Sequence, residues 1–165
     1  MDRRLRKPRP RRKARQRVRA SRAAGRRTPA VPKGPDDGVQ VTLRVFGADL
    51  DPDEVTRLLG AAPTEAARTG TVLIGPDGQP RNVRKGYWRL DAAPGPGTVE
   101  DQVEALLGAL TQDPAAWREL ASRYEPDLLC GLFLEGFNQV SSLPPALVRA
   151  LADRGLAIRL DIYAL

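Results

Sequence analysis

The sequence has 165 residues, and its formal net charge of +7 conceals a change of sign near residue 38. Residues 1–38 contain 15 Lys or Arg and 3 Asp or Glu, whereas residues 39–165 contain 12 Lys or Arg and 17 Asp or Glu. The chain is therefore a basic N-terminal arm followed by a mildly acidic body, which excludes a uniformly basic nucleic-acid-binding domain. The sequence has no histidine, which excludes Ser-His-Asp and Cys-His nucleophile pairs and histidine-ligated zinc.

The size and composition of residues 39–165 indicate one domain in a reducing compartment. About 127 residues are enough to bury a single hydrophobic core. No apolar run in the sequence approaches the roughly 18 residues that a membrane-spanning helix requires, and the N-terminal arginines are not followed by the apolar stretch of a secretory signal. The single cysteine, Cys130, cannot form an internal disulfide. We therefore predict a soluble, cytoplasmic protein that does not bind membranes.

Residues 1–38 are rich in Arg, Lys, Ala and Pro. Because like charges repel and few residues can pack, we expect an extended, disordered arm. Such arms bind phosphate backbones without sequence preference, and the candidate nucleic-acid-binding residues are Arg3, Arg4, Arg6, Lys7, Arg9, Arg11, Arg12, Lys13, Arg15, Arg17 and Arg19. A second interpretation stays open. The composition is typical of GC-rich coding DNA, in which a start codon is easily placed too far upstream, and Val31 or Val39 would each begin the domain directly.

The body begins with alternating apolar and polar residues over 39–46, which predict a half-buried strand with its odd-numbered residues inward. Asp51 and Pro52 then predict the start of a short helix, and Gly60 its left-handed end. Residues 71–75 predict a second strand.

A turn at 76–78 leads to a third predicted strand at 85–91. Thr98 is predicted to cap the next helix, and Asp113 opens another. The residues predicted to be buried by these two helices are Val99, Val103, Leu106, Leu107, Leu110, Trp117, Leu120 and Ala121.

The apolar run at 127–134 predicts a central strand. Ser142 is predicted to cap a further helix that ends at Gly155, and alternation predicts a last strand at 156–163. The residues predicted to face inward on this last strand are Leu156, Ile158, Leu160 and Ile162.

The element order is therefore β-α-β-β-α-α-β-α-β. Few of the connections are long enough for a doubly wound parallel sheet. We predict an α+β fold: a two-layer sandwich of a mostly antiparallel sheet with helices on one face, ferredoxin-like in plan.

No catalytic residues, metal ligands or cofactor are predicted. Cys130 lies in an apolar strand, where a small buried thiol is far more common than a nucleophile. An acidic cluster at 49–54 has the alternate spacing of the first ligands of a calcium loop, but the closing glutamate position is Gly60. Acidic residues at the start of a helix explain this cluster better. We expect no enzymatic activity.

The outward face of the predicted sheet combines aromatic and basic side chains, which are Arg44, Phe46, Tyr87, Arg89, Phe133, Arg159 and Tyr163. Such a face is typical of single-stranded RNA readers, but tyrosine and arginine are equally common at protein interfaces. The net charge of −5 on residues 39–165 favours the protein interface. Exposed loop candidates are Arg81, Arg84 and Lys85 before one strand, and Asn138 and Gln139 after the apolar strand.

Four stretches together resemble a bacterial family known as domain of unknown function 4279. They are residues 47–60 followed by Pro63-Thr64 and Gly70, the strand around Trp88, residues 99–124, and residues 143–163, ending in Asp161-Ile162-Tyr163. The resemblance implies a small α/β domain with no established activity and no catalytic residues. Small bacterial domains of this kind often serve as partner-binding modules, including immunity proteins against toxins, so the resemblance implies such a role by analogy.

These observations predict a non-enzymatic binding domain that engages a protein partner. The alternative is a nucleic-acid-associated protein that uses the basic arm and the aromatic face. The oligomeric state and the identity of the partner are left open.

Overall fold

The computed structural model describes residues 38–93, 97–134 and 140–164. In chain order the elements are β1 (Val39–Gly47), α1 (Pro52–Leu59), β2 (Glu65–Ala67), β3 (Val72–Ile74), β4 (Pro80–Asn82), β5 (Gly86–Asp91), α2 (Val99–Gly108), α3 (Pro114–Arg123), β6 (Glu125–Leu134), α4 (Pro145–Asp153) and β7 (Ala157–Ala164). Within the described residues, no helix is long and apolar enough to cross a membrane.

Five strands form a mixed sheet in the order β2-β5-β1-β6-β7. All neighbours are antiparallel except β6 and β7, which are parallel and joined by α4. The α+β class is confirmed. The ferredoxin-like plan is not confirmed, because each βαβ unit of that plan is split by another strand, whereas β6 and β7 are adjacent. The strand predicted to be central, β6, lies beside the central strand β1.

The element order differs from the prediction by two additional strands, β2 and β4. Each has only three residues, which is too short for an alternating pattern to be visible in the sequence. The predicted strand at 71–75 corresponds to β3, which pairs only with β4 in a separate two-stranded ribbon. Gly78 in the connecting turn has a φ of 73°, a left-handed conformation that favours glycine.

The core lies between the sheet and the described helices. The odd-numbered residues of β1 are buried against Trp88 of β5, alternate residues of β6 and the apolar faces of the helices. The predicted caps form, since Asp51 accepts a hydrogen bond from the Asp53 amide at 3.0 Å and Gly60 ends α1 with a φ of 75°. Thr98 and Asp101 form a reciprocal capping box on α2.

Two predictions about helices were wrong. Ser142 does not cap α4, which begins at Pro145 with Pro144 at the cap position and no side-chain cap. Pro145 occupies the first helical position, where proline is favoured because its fixed φ is already helical. Ala121 of α3 is exposed rather than buried.

The inward residues of β7 lie on the predicted side of the sheet, but most of them are not buried. Leu156 is buried, but Ile158, Leu160 and Ile162 are 38%, 60% and 57% exposed. They lie on the helix side of the sheet, because they are in register with the core residues Leu128, Cys130 and Leu132 of β6. Since β7 is an edge strand, the described helices do not cover this side of it.

Candidate functional site

We call the side of the five-stranded sheet opposite the core the open face, because no described helix packs on it. Its residues are those that alternate with core residues along each strand. Antiparallel register places Arg44 of β1 between Arg89 of β5 and Asp127 of β6. The same alternation brings Phe46 beside Tyr87 and Phe133 beside Tyr163. The structure therefore places all seven predicted outward-facing residues on the same side of the sheet, but Phe133 is only 5% exposed and is buried there.

Asp127 is the centre of the open face. Arg44 donates its Nε to Oδ1 at 2.8 Å and its Nη2 to Oδ2 at 2.9 Å, and Arg159 donates its Nε to Oδ2 at 2.5 Å. One carboxylate that is only 5% exposed thus holds two guanidinium groups. The Arg44 guanidinium also lies 5.3 Å from the centre of the Phe46 ring, within range of a cation–π interaction.

The β5 side of the open face is a second polar network. Arg89 Nη2 and Thr42 Oγ1 both donate to Oδ1 of Asp91, at 2.8 and 2.7 Å. The Tyr87 hydroxyl donates to Glu65 at 2.5 Å. Partial burial, together with this hydrogen bond to a carboxylate, raises the pKa of Tyr87 to about 12, so the hydroxyl is a protonated donor at neutral pH.

The third part of the open face is an aromatic pair at the ends of β6 and β7. The rings of Phe133 and Tyr163 are stacked with their centres 4.7 Å apart and their planes 8° from parallel. The Tyr163 hydroxyl donates to Asp161 Oδ2 at 2.6 Å. This hydrogen bond to an anion, aided by desolvation, raises the pKa of Tyr163. Because Phe133 is buried and Tyr163 is half-buried, Tyr163 is the accessible member of this pair.

The basic residues of the open face are balanced by acidic ones. At the edge of the open face, Lys85 Nζ lies 2.6 Å from Glu125 Oε1. With Lys85 included, the described residues of the face have four cations, which are Arg44, Lys85, Arg89 and Arg159. Its five anions are Glu65, Asp91, Glu125, Asp127 and Asp161. Sequence reasoning missed these acidic partners, although they occupy the same alternate positions as the predicted basic and aromatic residues. An open depression of about 320 Å³ lies among Arg44, Phe46 and Arg159.

Of the remaining predicted site residues, the structure describes only Arg81 and Arg84, and neither lies on the five-stranded sheet. Arg81, in the β3–β4 ribbon, forms an ion pair with Asp77 at 2.9 Å, and Arg84 is exposed in a bend before β5. Asn138 and Gln139 lie outside the described residues. So do the candidate residues of the arm, which are Arg3, Arg4, Arg6, Lys7, Arg9, Arg11, Arg12, Lys13, Arg15, Arg17 and Arg19.

The acidic cluster at 49–54 and Cys130, which the sequence analysis considered for metal binding and catalysis, have surroundings that explain them by structural roles. Asp51 and Asp53 of the acidic cluster both pair with Arg68, at 2.7 and 2.9 Å. Cys130 is fully buried, and burial raises the pKa of its thiol to about 11. In the part of the chain that the structure describes, no group of three or more His, Cys, Asp or Glu residues could hold a metal ion.

Fold and surface together define a small α+β domain with one helix-covered and one open sheet face. A family model described as Domain of unknown function (DUF4279) matches residues 37–165. The chain belongs to this family, which confirms the resemblance in the sequence. No curated protein matches the chain, and no solved structure does.

Proposed function

We propose that this protein is a non-enzymatic binding domain that engages a protein partner through the open face. The observation that carries the proposal is a pre-arranged set of rings and guanidinium groups on a sheet face that no described helix covers. Tyr, Phe and Arg are the side chains most enriched at protein interfaces. This function needs one accessible sheet face and does not require a ferredoxin-like plan.

The hydrogen-bond networks favour tight binding because they hold long side chains in place before the partner arrives. Arg44 is fixed by two hydrogen bonds to Asp127, and the half-buried Tyr163 ring is fixed by stacking on Phe133. A side chain that is already ordered loses less conformational entropy on binding. The open face has both positive and negative side chains, which favour a partner whose own charges are complementary at each position. A partner that bound out of alignment would leave buried charges unpaired.

The balance of charge on the open face favours protein over nucleic acid. A phosphate group that bound Arg44 or Arg159 would lie close to the carboxylate of Asp127, which already accepts from both. Nucleic-acid affinity depends on cations that are free to replace counterions. The lone buried cysteine and the family resemblance support a bacterial, cytoplasmic setting for this binding.

A photo-crosslinking amino acid introduced into the full chain in its own cells tests the proposal. Introduced at Tyr87, on the open face, it should give a discrete covalent adduct with one protein. Introduced at Arg118, an exposed position on α3, it should give none. Equal adducts at both positions, or an adduct at Arg118 alone, would contradict the proposal.

The net charge of +12 on residues 1–38 favours a second candidate function, nucleic-acid association through the arm. We expect its binding to duplex DNA to weaken steeply with salt, with a slope of about −0.9 in log–log form for each phosphate contacted. The comparison is between the full chain and a variant with the eleven candidate arm residues changed to Gln. Equal binding by the two proteins would refute this candidate.

A further inference from the structure

The edge strand β7 combines exposed apolar side chains with a backbone edge that pairs with no strand among the described residues. It pairs with β6 on one side only, at the end of the sheet. Ile158, Leu160 and Ile162 are all exposed on the helix side. The eight residues of β7 include no Pro or Lys, which commonly protect an edge from pairing, and their charged residues are one Arg and one Asp. The opposite edge, β2, has only three residues.

We propose that two copies of this chain associate by antiparallel pairing of their β7 strands about a two-fold axis at Leu160. In this register Leu160 lies opposite Leu160 of the second copy, and Ile158 lies opposite its Ile162. Arg159 lies opposite its Asp161. This β7–β7 contact lies outside the hydrophobic core. The proposal does not depend on the protein-partner function proposed above.

The charges of β7 favour a second copy of this chain as the partner of the edge, and they favour pairing about Leu160. Arg159 and Asp161 flank Leu160 symmetrically, so a two-fold axis at Leu160 gives two opposite-charge cross-strand pairs, which are stabilising. An axis at Arg159 would oppose two arginines, and an axis at Asp161 would oppose two aspartates. An axis at Ile158 would pair only three residues, since β7 begins at Ala157, and an axis at Ile162 would pair only five, since β7 ends at Ala164, whereas the axis at Leu160 pairs seven.

The contacts within each copy are compatible with this pairing. The Arg159 side chain is 64% exposed and donates its Nε to Asp127, and the guanidinium has two further nitrogens that can donate. Asp161 is exposed and accepts from Tyr163 through Oδ2, and its other oxygen can accept from the second copy.

Pairing of the two edges would join the sheets of the two copies into one sheet of ten strands. Because the contact uses the same strand of both copies, it closes on itself and gives a dimer rather than a fibre.

The test is sedimentation equilibrium of the full chain over a concentration series, after bound nucleic acid has been removed. We expect a reversible monomer–dimer equilibrium. Leu160→Lys should weaken the dimer at least tenfold. The matched control is Val148→Lys, which changes an apolar side chain of α4 that is 45% exposed and outside β7, and it should dimerise as the parent does. A parent that stays monomeric at all concentrations, or a Leu160→Lys variant that dimerises equally well, overturns the proposal.

A charge exchange tests the pairing of Arg159 with Asp161. Arg159→Glu and Asp161→Lys should each weaken self-association, because each opposes like charges across the axis. A mixture of the two variants should form a heterodimer, since every cross-strand pair then has opposite charges. Failure of the mixture to associate more tightly than either variant alone refutes this register.

Cross-linking with a short bismaleimide tests the register without relying on charge. Leu160→Cys should cross-link to itself. Ile158→Cys should cross-link poorly to itself but efficiently when mixed with Ile162→Cys. The native thiol at Cys130 is fully buried and should not compete. Efficient self-cross-linking of Ile158→Cys, with none for Leu160→Cys, would exclude the proposed axis.

Discussion

Gln102 is a buried polar residue whose removal should destabilise the fold more than any surface change. Its side chain accepts a hydrogen bond from the Val41 amide at 3.0 Å and donates one to the Val39 carbonyl at 3.2 Å. The strand β5 cannot supply these bonds, because its register with β1 ends at the pair of Thr42 and Asp91. A side chain from α2 thus takes the place of a neighbouring strand at the start of β1.

Gln102→Leu keeps a similar volume but leaves two backbone groups without these partners. Each unsatisfied buried group costs about 1–3 kcal/mol, and the added apolar burial offsets about 1 kcal/mol. We expect a net loss of about 1–5 kcal/mol in the free energy of unfolding.

Urea unfolding followed by tryptophan fluorescence measures this loss, since Trp88 and Trp117 are both buried. The midpoint should fall with little change in the slope of the transition. Glu104→Leu, at an exposed position of the same helix, is the control and should change stability by less than about 0.5 kcal/mol. If Gln102→Leu is as stable as the control, the side chain does not satisfy β1 and the reasoning is wrong.

Three further predictions concern other positions. Gly47→Ala should destabilise the fold by about 1–3 kcal/mol in the same urea assay, because a Cβ there would lie 2.7 Å from Cδ1 of Tyr124. Gly108→Ala is the control, since its Cβ would meet nothing within 4 Å, and it should be neutral or stabilising. The raised pKa of Tyr87, about 12, gives stability that is present below pH 10 and lost as the pH rises through about 12. Unfolding measured across this pH range should therefore depend less on pH in Tyr87→Phe; an unchanged dependence would contradict this. Cys130 is fully buried, so mass spectrometry should find it unmodified by iodoacetamide until urea unfolds the protein; labelling of the folded protein at the rate of a free thiol would contradict this.

Local chemistry explains the parts of the fold that the sequence predicted. Alternation over β1 placed its odd-numbered residues in the core, and Asp51 and Gly60 marked the two ends of α1. Each signal depends on residues within one turn or one strand. The start of α4 was misplaced because Ser142 is a good cap in isolation, while the adjacent pair Pro144 and Pro145 determined where the helix begins.

Non-local pairing explains what the sequence did not predict. Alternation showed that Ile158, Leu160 and Ile162 share one side of β7, but whether that side is covered depends on the position of β7 at the edge of the sheet. The acidic partners of the open face were missed for the same reason. Arg44 and Asp127 are 83 positions apart in the chain, and only the register of β1 with β6 brings them together.

The two proposed surfaces meet at β7, and the alternation of its side chains separates them experimentally. Arg159 lies on the open face beside Asp127, whereas Leu160 lies on the helix side in register with Cys130. A change at Leu160 therefore alters self-association without altering the open face, and a change at Tyr87 does the reverse. If the dimer forms, the two open faces lie on one continuous sheet, so a partner with two matching sites would bind the dimer more tightly than the monomer. In that case Leu160→Lys would lower the affinity for such a partner although no contact residue had changed.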